Sequence, residues 1–400
     1  AEAHSNLGNI LKDLGNLQEA KRCQRKAIEL KPGFPEAHSN LGAVLKNLGN
    51  LQEAEVSTRK AIELKSDCAE THLNLGNILR DLGNLQEAEV STRKAIELDP
   101  DLAEAHSGLG GIYRELGNFH DAINSLKQAV QLNNELSIAK SEIILSKGSI
   151  CDWSDQEIQA TWLKSIGIEK SAVSVFGLLY YEDNPFNSLK RSETIYRKVC
   201  SRQAYPITFT NKTKIHIGYF SADFNNHPVM NLIGPIFELH DKSKFEIYLY
   251  SFGAKEDEFT ERAKNSGCIF KNINKLNHFE AVKLARKDKI DIAVDLMGYT
   301  HNNRFCIFSY RVAPIQINYL GYPGSLGSDK IDYIIADKIV IPNGHEQFYT
   351  EKVIRMPNCY LCTDDKMEIS QENLSREDFN LPEKGFVFTC FNGAKKITPN

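Results

Sequence analysis

The residues with the most chemistry in this chain lie in one short stretch, Ser221-Ala222-Asp223-Phe224-Asn225-Asn226-His227-Pro228. A carboxylate and an imidazole stand four positions apart at the end of an apolar run. A histidine there can take or give a proton near neutral pH. Pro228 can open the helix that follows, whose N-terminus favours anions. The same residues also suit a plain role, with Asp223 capping a turn and His227 an ordinary surface or core histidine. Other chemical signatures are sparse. Cys359 and Cys362 form a single C-x-x-C without a second pair or a fitting histidine nearby. The only Asp-x-Asp, Asp99-Pro100-Asp101, falls between repeats, so a metal-bridged diphosphate site has no obvious carboxylates. Neither G-x-G-x-x-G nor a phosphate-binding P-loop occurs, which disfavours dinucleotide and ATP chemistry.

The elements that must hold that loop alternate between two periodicities. From Lys214 the pattern predicts strands over 214–220, 245–251, 268–273, 290–296, 315–320 and 333–341. Helices are predicted between them over 229–239, 257–264, 278–287 and near 305–311. Strands separated by crossover helices imply a parallel sheet covered on both faces. Ligands of such sheets bind beyond the carboxyl ends of the strands. Three loops therefore matter: 221–228, 297–304 (ending in Arg304, a candidate helper cation or an ordinary surface charge) and 321–327.

Upstream, the chain repeats itself. His4-Ser5-Asn6-Leu7-Gly8 returns at His38, His72 and His106, a period of 34 residues. That period with helical patterning is the signature of tetratricopeptide repeats, paired helices that stack into a superhelix with a concave surface. Gly8 and Ala20 are small where helices approach, Gly15-Asn16 makes the turn, and Pro32 or Pro100 stops the second helix. Asn6, Asn40 and Asn74 share one position of the unit. Their side chains could grip a peptide backbone through donor and acceptor together, or merely satisfy neighbouring groups.

Composition bounds the rest. Four hundred residues, 42% hydrophobic, suffice for two or three cores. A net charge of −4 argues against a general nucleic-acid binder. No long apolar run or signal-like start is present, so no membrane role is expected. Nine scattered cysteines suit a reducing, cytoplasmic setting. The expected division is repeats over 1–134, a helical capping and connecting region over 135–212, a Rossmann-like lobe over 213–380, and the start of a further nucleotide-binding lobe over 381–400. The chain begins inside the repeat pattern without Met and stops at Asn400, soon after a strand-like run over 385–391. It reads as a segment of a longer protein, and the segment alone is expected to be inactive.

Several strings together resemble protein O-GlcNAc transferases of glycosyltransferase family 41. They are Ile217 through Pro228, Asp295-Leu296-Met297-Gly298-Tyr299-Thr300, Ala313 through Gly324, and Phe391-Asn392 followed by Lys396-Ile397. Repeats precede them, as in the family. The resemblance implies a fold of tetratricopeptide superhelix followed by the N-terminal Rossmann-like lobe of a GT-B glycosyltransferase. It implies a metal-independent, inverting transfer of N-acetylglucosamine from UDP-GlcNAc to Ser or Thr of acceptor proteins held by the repeats. No cofactor, nucleic acid or membrane would be involved. Asp223 and His227 would handle the proton, and Lys396 would neutralise the leaving diphosphate. Asn226, Pro228, Leu320, Gly321 and Asn392 would line the donor and sugar site, and Asn6, Asn40 and Asn74 the acceptor groove. Gly393 and Val229 depart from residues common in the family (Gln and Thr). A related protein O-fucosyltransferase using GDP-fucose, or a non-catalytic repeat adaptor, are the alternative expectations.

Overall fold

The computed structural model describes residues 1–169, 171–200, 207, 212–366, 371–388, 393 and 396. Its contacts divide the chain into two compact units, Ala1–Ser201 and Arg202–Asn400.

The first unit is helical. Its repeats are four helix pairs: α1 (Glu2–Asp13) with α2 (Leu17–Leu30), α3 (Pro35–Asn47) with α4 (Leu51–Leu64), α5 (Ala69–Asp81) with α6 (Leu85–Leu98), and α7 (Ala103–Glu115) with α8 (Phe119–Leu132). Each pair turns at a glycine in the left-handed region, for example Gly83 at φ +82°. There the N–H of Asn84 reaches back to the carbonyl of Leu79 at 2.9 Å, closing the helix end. The pairs sit so close that a Cβ on Gly42 would come within 2.0 Å of Thr58 Oγ1. Ala54 and Ala61 on α4 are buried against that face. The recurring histidine serves the joint between units: His38, His72 and His106 hydrogen-bond through Nε2 with the carbonyls of Pro32, Ser66 and Pro100 at 3.0, 3.0 and 2.9 Å.

Helix α9 (Ser137–Ser149) continues the stack, packing Ala139 and Ile143 on Leu126 and Ala129 of α8. Beyond it come α10 (Gln156–Leu163), α11 (Val175–Leu178) and α12 (Pro185–Val199). Asn184 caps α12, its side chain accepting the Asn187 N–H, and Pro185 occupies the first turn, where a missing N–H costs nothing. Two buried cations, each ion-paired, tie this part together. Lys147 reaches Asp155 at 2.8 Å and Asp152 at 3.1 Å, and Arg191 pairs with Glu182 at 2.5 Å.

The second unit is a parallel sheet of seven strands: β1 (Ile215–Ser221), β2 (Phe245–Ser251), β3 (Ile269–Asn272), β4 (Ile292–Asp295), β5 (Ile315–Asn318), β6 (Tyr333–Ala336) and β7 (Lys352–Arg355). Their order is β3-β2-β1-β4-β5-β6-β7. The chain reverses direction across the sheet between β1 and β4, which opens a crevice at their carboxyl ends. Crossovers are α13 (Pro228–Leu239), α14 (Glu258–Asn265), α15 (His278–Lys287) and the short α16 (Cys306–Ser309). Ile217, Tyr219, Ile247, Leu249 and Val294 of the sheet bury against Met230, Ile233 and Phe237 of α13. Each such side chain contributes roughly 1.5–3 kcal/mol when fully buried.

Several expectations are corrected in detail. The run over 333–341 is a strand only to Ala336, because the Asp337 carboxylate takes the N–H groups of Ile339 and Val340 and turns the chain. β7 escapes the sequence reading because its two apolar residues, Val353 and Ile354, stand between Lys352 and Arg355 with no longer apolar run around them. The strand expected from Gly385 is not formed over its described part. Phe386 and Phe388 are 83% and 90% exposed, their ring centroids 4.8 Å apart. The remainder of that run, including Asn392, lies outside the described residues.

Candidate active site

The crevice is built by the loops leaving β1, β4 and β5. β1 pairs with β4 in register, Phe220 beside Asp295, and β4 with β5, Asp295 beside Asn318. Their loops therefore leave the sheet as neighbours. Ser221 Oγ donates to Met297 Sδ at 3.3 Å, joining the first two. A Cβ on Gly321 would fall 2.1 Å from the Leu296 carbonyl oxygen, so the loop after β5 can lie on the end of β4 only with glycine there. The preceding Leu320 is buried and held in the left-handed region at φ +74°. A non-glycine residue so placed is strained, a feature that concentrates at ligand sites.

The loop after β1 brings Asp223 and His227 together. Asp223 is fixed by its own N–H on Ser221 Oγ at 2.9 Å, and its Oδ2 stands 3.4 Å from His227 Nδ1. His227 also caps α13, Nδ1 accepting the Val229 N–H at 3.3 Å. One ring nitrogen cannot do both at once. With a lone pair at Nδ1 it caps the helix and carries its proton on Nε2. With a proton at Nδ1 it donates to Asp223 and leaves Nε2 as a base. Burial raises the Asp223 carboxyl above the usual range, while the charges of His227 and His301 hold it down. His301, on the loop after β4, was not singled out by the sequence reading; only its place in the second candidate loop pointed to it.

Other candidate residues are placed as follows. Asn226 and Pro228 are exposed beside the dyad, and the Asn226 N–H donates to Asp257 Oδ2 at 2.7 Å. Asp257 also caps α14, so one carboxylate ties α14 to the loop. Arg304 is neither a surface charge nor a cation open to the crevice. Its guanidinium donates to the carbonyls of Ile273 and Leu276 at 3.0 and 2.8 Å and lies over the Phe252 ring, and burial lowers it to about 10. Lys396 is exposed, its backbone N–H donating to the Gly393 carbonyl at 2.9 Å.

In the first unit, Asn40 and Asn74 donate through Nδ2 to Ser5 Oγ and Ser39 Oγ of the preceding repeats at 3.2 and 3.3 Å. Asn6 is exposed. Asn40 and Asn74 border a cleft of about 240 Å³ with Glu36, Glu70 and Thr71. Among the described residues no group of three or more His, Cys, Asp or Glu is arranged to hold a metal, and Cys359 and Cys362 are free thiols. None of the described helices is long and apolar enough to cross a membrane.

Residues 193–372, which include this crevice, match the model of glycosyl transferase family 41. Residues 8–49, 35–68 and 67–135 match tetratricopeptide repeat models. The region that matches glycosyl transferase family 41 thus follows the repeats along the chain. It is similar to the probable UDP-N-acetylglucosamine–peptide N-acetylglucosaminyltransferase SEC of Arabidopsis thaliana, 35% identical over 193 residues covering 46% of this chain and 20% of that protein. A similar match is to the UDP-N-acetylglucosamine–peptide N-acetylglucosaminyltransferase of Caenorhabditis elegans, 35% identical over 157 residues, 38% of this chain and 14% of that one. The chain spans a fifth or less of the length of these relatives. A solved variant of the Thermobaculum terrenum O-GlcNAc transferase superposes with a TM-score of 0.51 at 24% identity, covering 82% of this chain and 58% of that one. That likeness supports the fold of helical repeats followed by the N-terminal GT-B lobe. The dyad and the strained loop after β5 both lie within the family 41 region.

Proposed function

We infer that the protein of which this chain is part is a protein O-glycosyltransferase that moves N-acetylglucosamine from UDP-GlcNAc to Ser or Thr hydroxyls, inverting the sugar and using no metal. The observation that carries this reading is the Asp223–His227 pair, 3.4 Å apart at the head of α13 within the family 41 region. A serine hydroxyl is a weak nucleophile and gains from a base beside it. Attack forms the bond from the acceptor oxygen to the anomeric carbon, and the bond to the diphosphate breaks with its electrons leaving on UDP. The hydroxyl proton passes to His227 Nε2, whose imidazolium is steadied by Asp223. Charge gathering on UDP is met by the Lys396 ammonium, with Asn226, Pro228, Leu320, Gly321 and Asn392 bordering the sugar. Asn6, Asn40 and Asn74 line the groove for the acceptor backbone, and the reaction is placed in the cytoplasm.

The test is a transfer assay on the full-length protein carrying Lys396→Met. Removing one preorganised electrostatic contact costs on the order of 10²–10³ in rate. That loss, with unaltered thermal unfolding, is the expected result. Unchanged turnover would remove Lys396 from the mechanism, and absence of transfer by the unsubstituted protein would leave the repeat-adaptor reading ahead.

A further inference from the structure

Under the crevice lie two buried acceptors that lack a donor. Asp295 ends β4 and Asn318 ends β5, paired in register, so their side chains leave the same face of the sheet on adjacent strands. They are 1% and 0% exposed. Asp295 Oδ1 accepts the Met297 N–H at 2.9 Å, while Oδ2 has no partner. The Asn318 amide is oriented without ambiguity: Nδ2 donates to the carbonyls of Tyr322 and Gly324 at 3.1 and 3.2 Å, and a flip would set oxygen against both. That leaves Asn318 Oδ1 also without a partner. Thr300, the hydroxyl on the loop above, is itself unpartnered and so supplies neither. A carboxylate and an amide oxygen cannot satisfy one another, and leaving both unpaired in the interior is costly. One proton removes the conflict.

We propose that Asp295 is a positioning residue that works as a neutral acid, donating an Oδ2 proton to Asn318 Oδ1 and so latching the loops after β4 and β5 together. The latch joins what each partner already holds. Asp295 fixes the Met297 N–H, and Asn318 fixes the turn that follows Leu320 and Gly321. Burial pushes the Asp295 carboxyl up to about 6, opposed only by the N–H groups of Met297 and Gly298. Donation to Asn318 favours the neutral form and raises it further. The titratable groups on the elements around it are Tyr219 on β1, Asp223 and His227 after β1, Tyr299, His301 and Arg304 after β4, and Tyr319 and Tyr322 after β5. None of them figures among the influences on Asp295.

The sign of the pH dependence follows. A carboxyl raised on folding adds stability that is full below its ordinary value of 3.8 and is lost as pH rises through its folded value, about 6 or above. In Asp295→Asn the amide N–H replaces the acid proton at every pH. Thermal unfolding of the full-length protein from pH 4 to 9 should therefore show wild type and Asp295→Asn together at pH 4 and the variant more stable at pH 8 to 9. Parallel profiles would overturn the latch, leaving an ionised Asp295 bridged to Asn318 by water. Should the variant fail to fold, the infrared carbonyl band of a buried protonated carboxyl in wild type at pH 5 decides, its absence counting against the proposal. A further arm rests on the transferase reading: KM for UDP-GlcNAc should climb with pH in wild type and stay level in Asp295→Asn, with the two proteins sharing one kcat profile. Loss of all turnover beside an intact stability difference would refute that reading and spare the latch.

Discussion

In the proposed transfer, His227 is the residue on which the chemistry would turn, because its Nδ1 has two suitors. The Val229 N–H at 3.3 Å asks for a lone pair and the Asp223 carboxylate at 3.4 Å asks for a proton. Only the second arrangement frees Nε2 to accept a proton from an attacking hydroxyl. Asp223 therefore selects the reactive tautomer, much as the aspartate does in a hydrolytic triad. Asp223→Asn should lower kcat by about 10²-fold and His227→Ala by about 10²–10⁴-fold. Because they act as a unit, the double variant should be scarcely slower than His227→Ala alone. Losses that multiply in a steady-state transfer assay would mean that the two side chains act separately.

Among the elements, the link from β5 to β6 does most to shape the crevice. Leu320 at φ +74° and Gly321 against the Leu296 carbonyl are imposed by the register of β4 and β5, which brings the two strand ends side by side. A methyl group at 321 meets backbone oxygen at 2.1 Å, and backbone has no rotamer with which to yield. Gly321→Ala is expected to destabilise the second unit by about 1–3 kcal/mol, in the range of overpacked cores, and to weaken donor binding with it. Gly83→Ala, in a repeat turn at φ +82° with open space around it, should cost only about 1 kcal/mol and leave donor binding alone. Urea unfolding and donor titration on both variants check the contrast, and equal effects on donor binding would detach the 321 loop from the site.

At the scale of the whole molecule, the proposed acceptor surface and the candidate crevice occupy separate compact units of one chain. The repeats offer a polar cleft bordered by Asn40, Asn74, Glu36 and Glu70. The two asparagines spend Nδ2 on serines of neighbouring repeats, which holds each amide in place, and on the proposed reading Oδ1 would meet a backbone N–H of an acceptor. Replacing both by alanine should raise KM for a protein acceptor about tenfold, since two modest hydrogen bonds at roughly 0.5–1.5 kcal/mol each are removed. Transfer to a short Ser-containing peptide should be unaffected. An equal rise for both acceptors would place the asparagines outside recognition.

Legibility in the sequence follows the range of the forces involved. The repeats could be read because each helix pair is set by local pattern, glycine turns and close-packed alanines that recur every 34 residues. The alternation of strand and helix in the second unit, and the ends of α15, were equally local: Asn277 and Glu280 form a capping box written in adjacent residues. The pairing of Asp223 with His227 could be suspected because they share one loop. Nothing local marks His301 as part of that environment, or Arg304 as a clamp on the carbonyls of Ile273 and Leu276. The meeting of Asp295 with Asn318 joins residues 23 positions apart through the register of β4 and β5. Pattern, in short range, set the kinds of element this chain makes; which buried acceptors are left to share a proton was decided only when the sheet assembled, because burial and partner distance are properties of the fold.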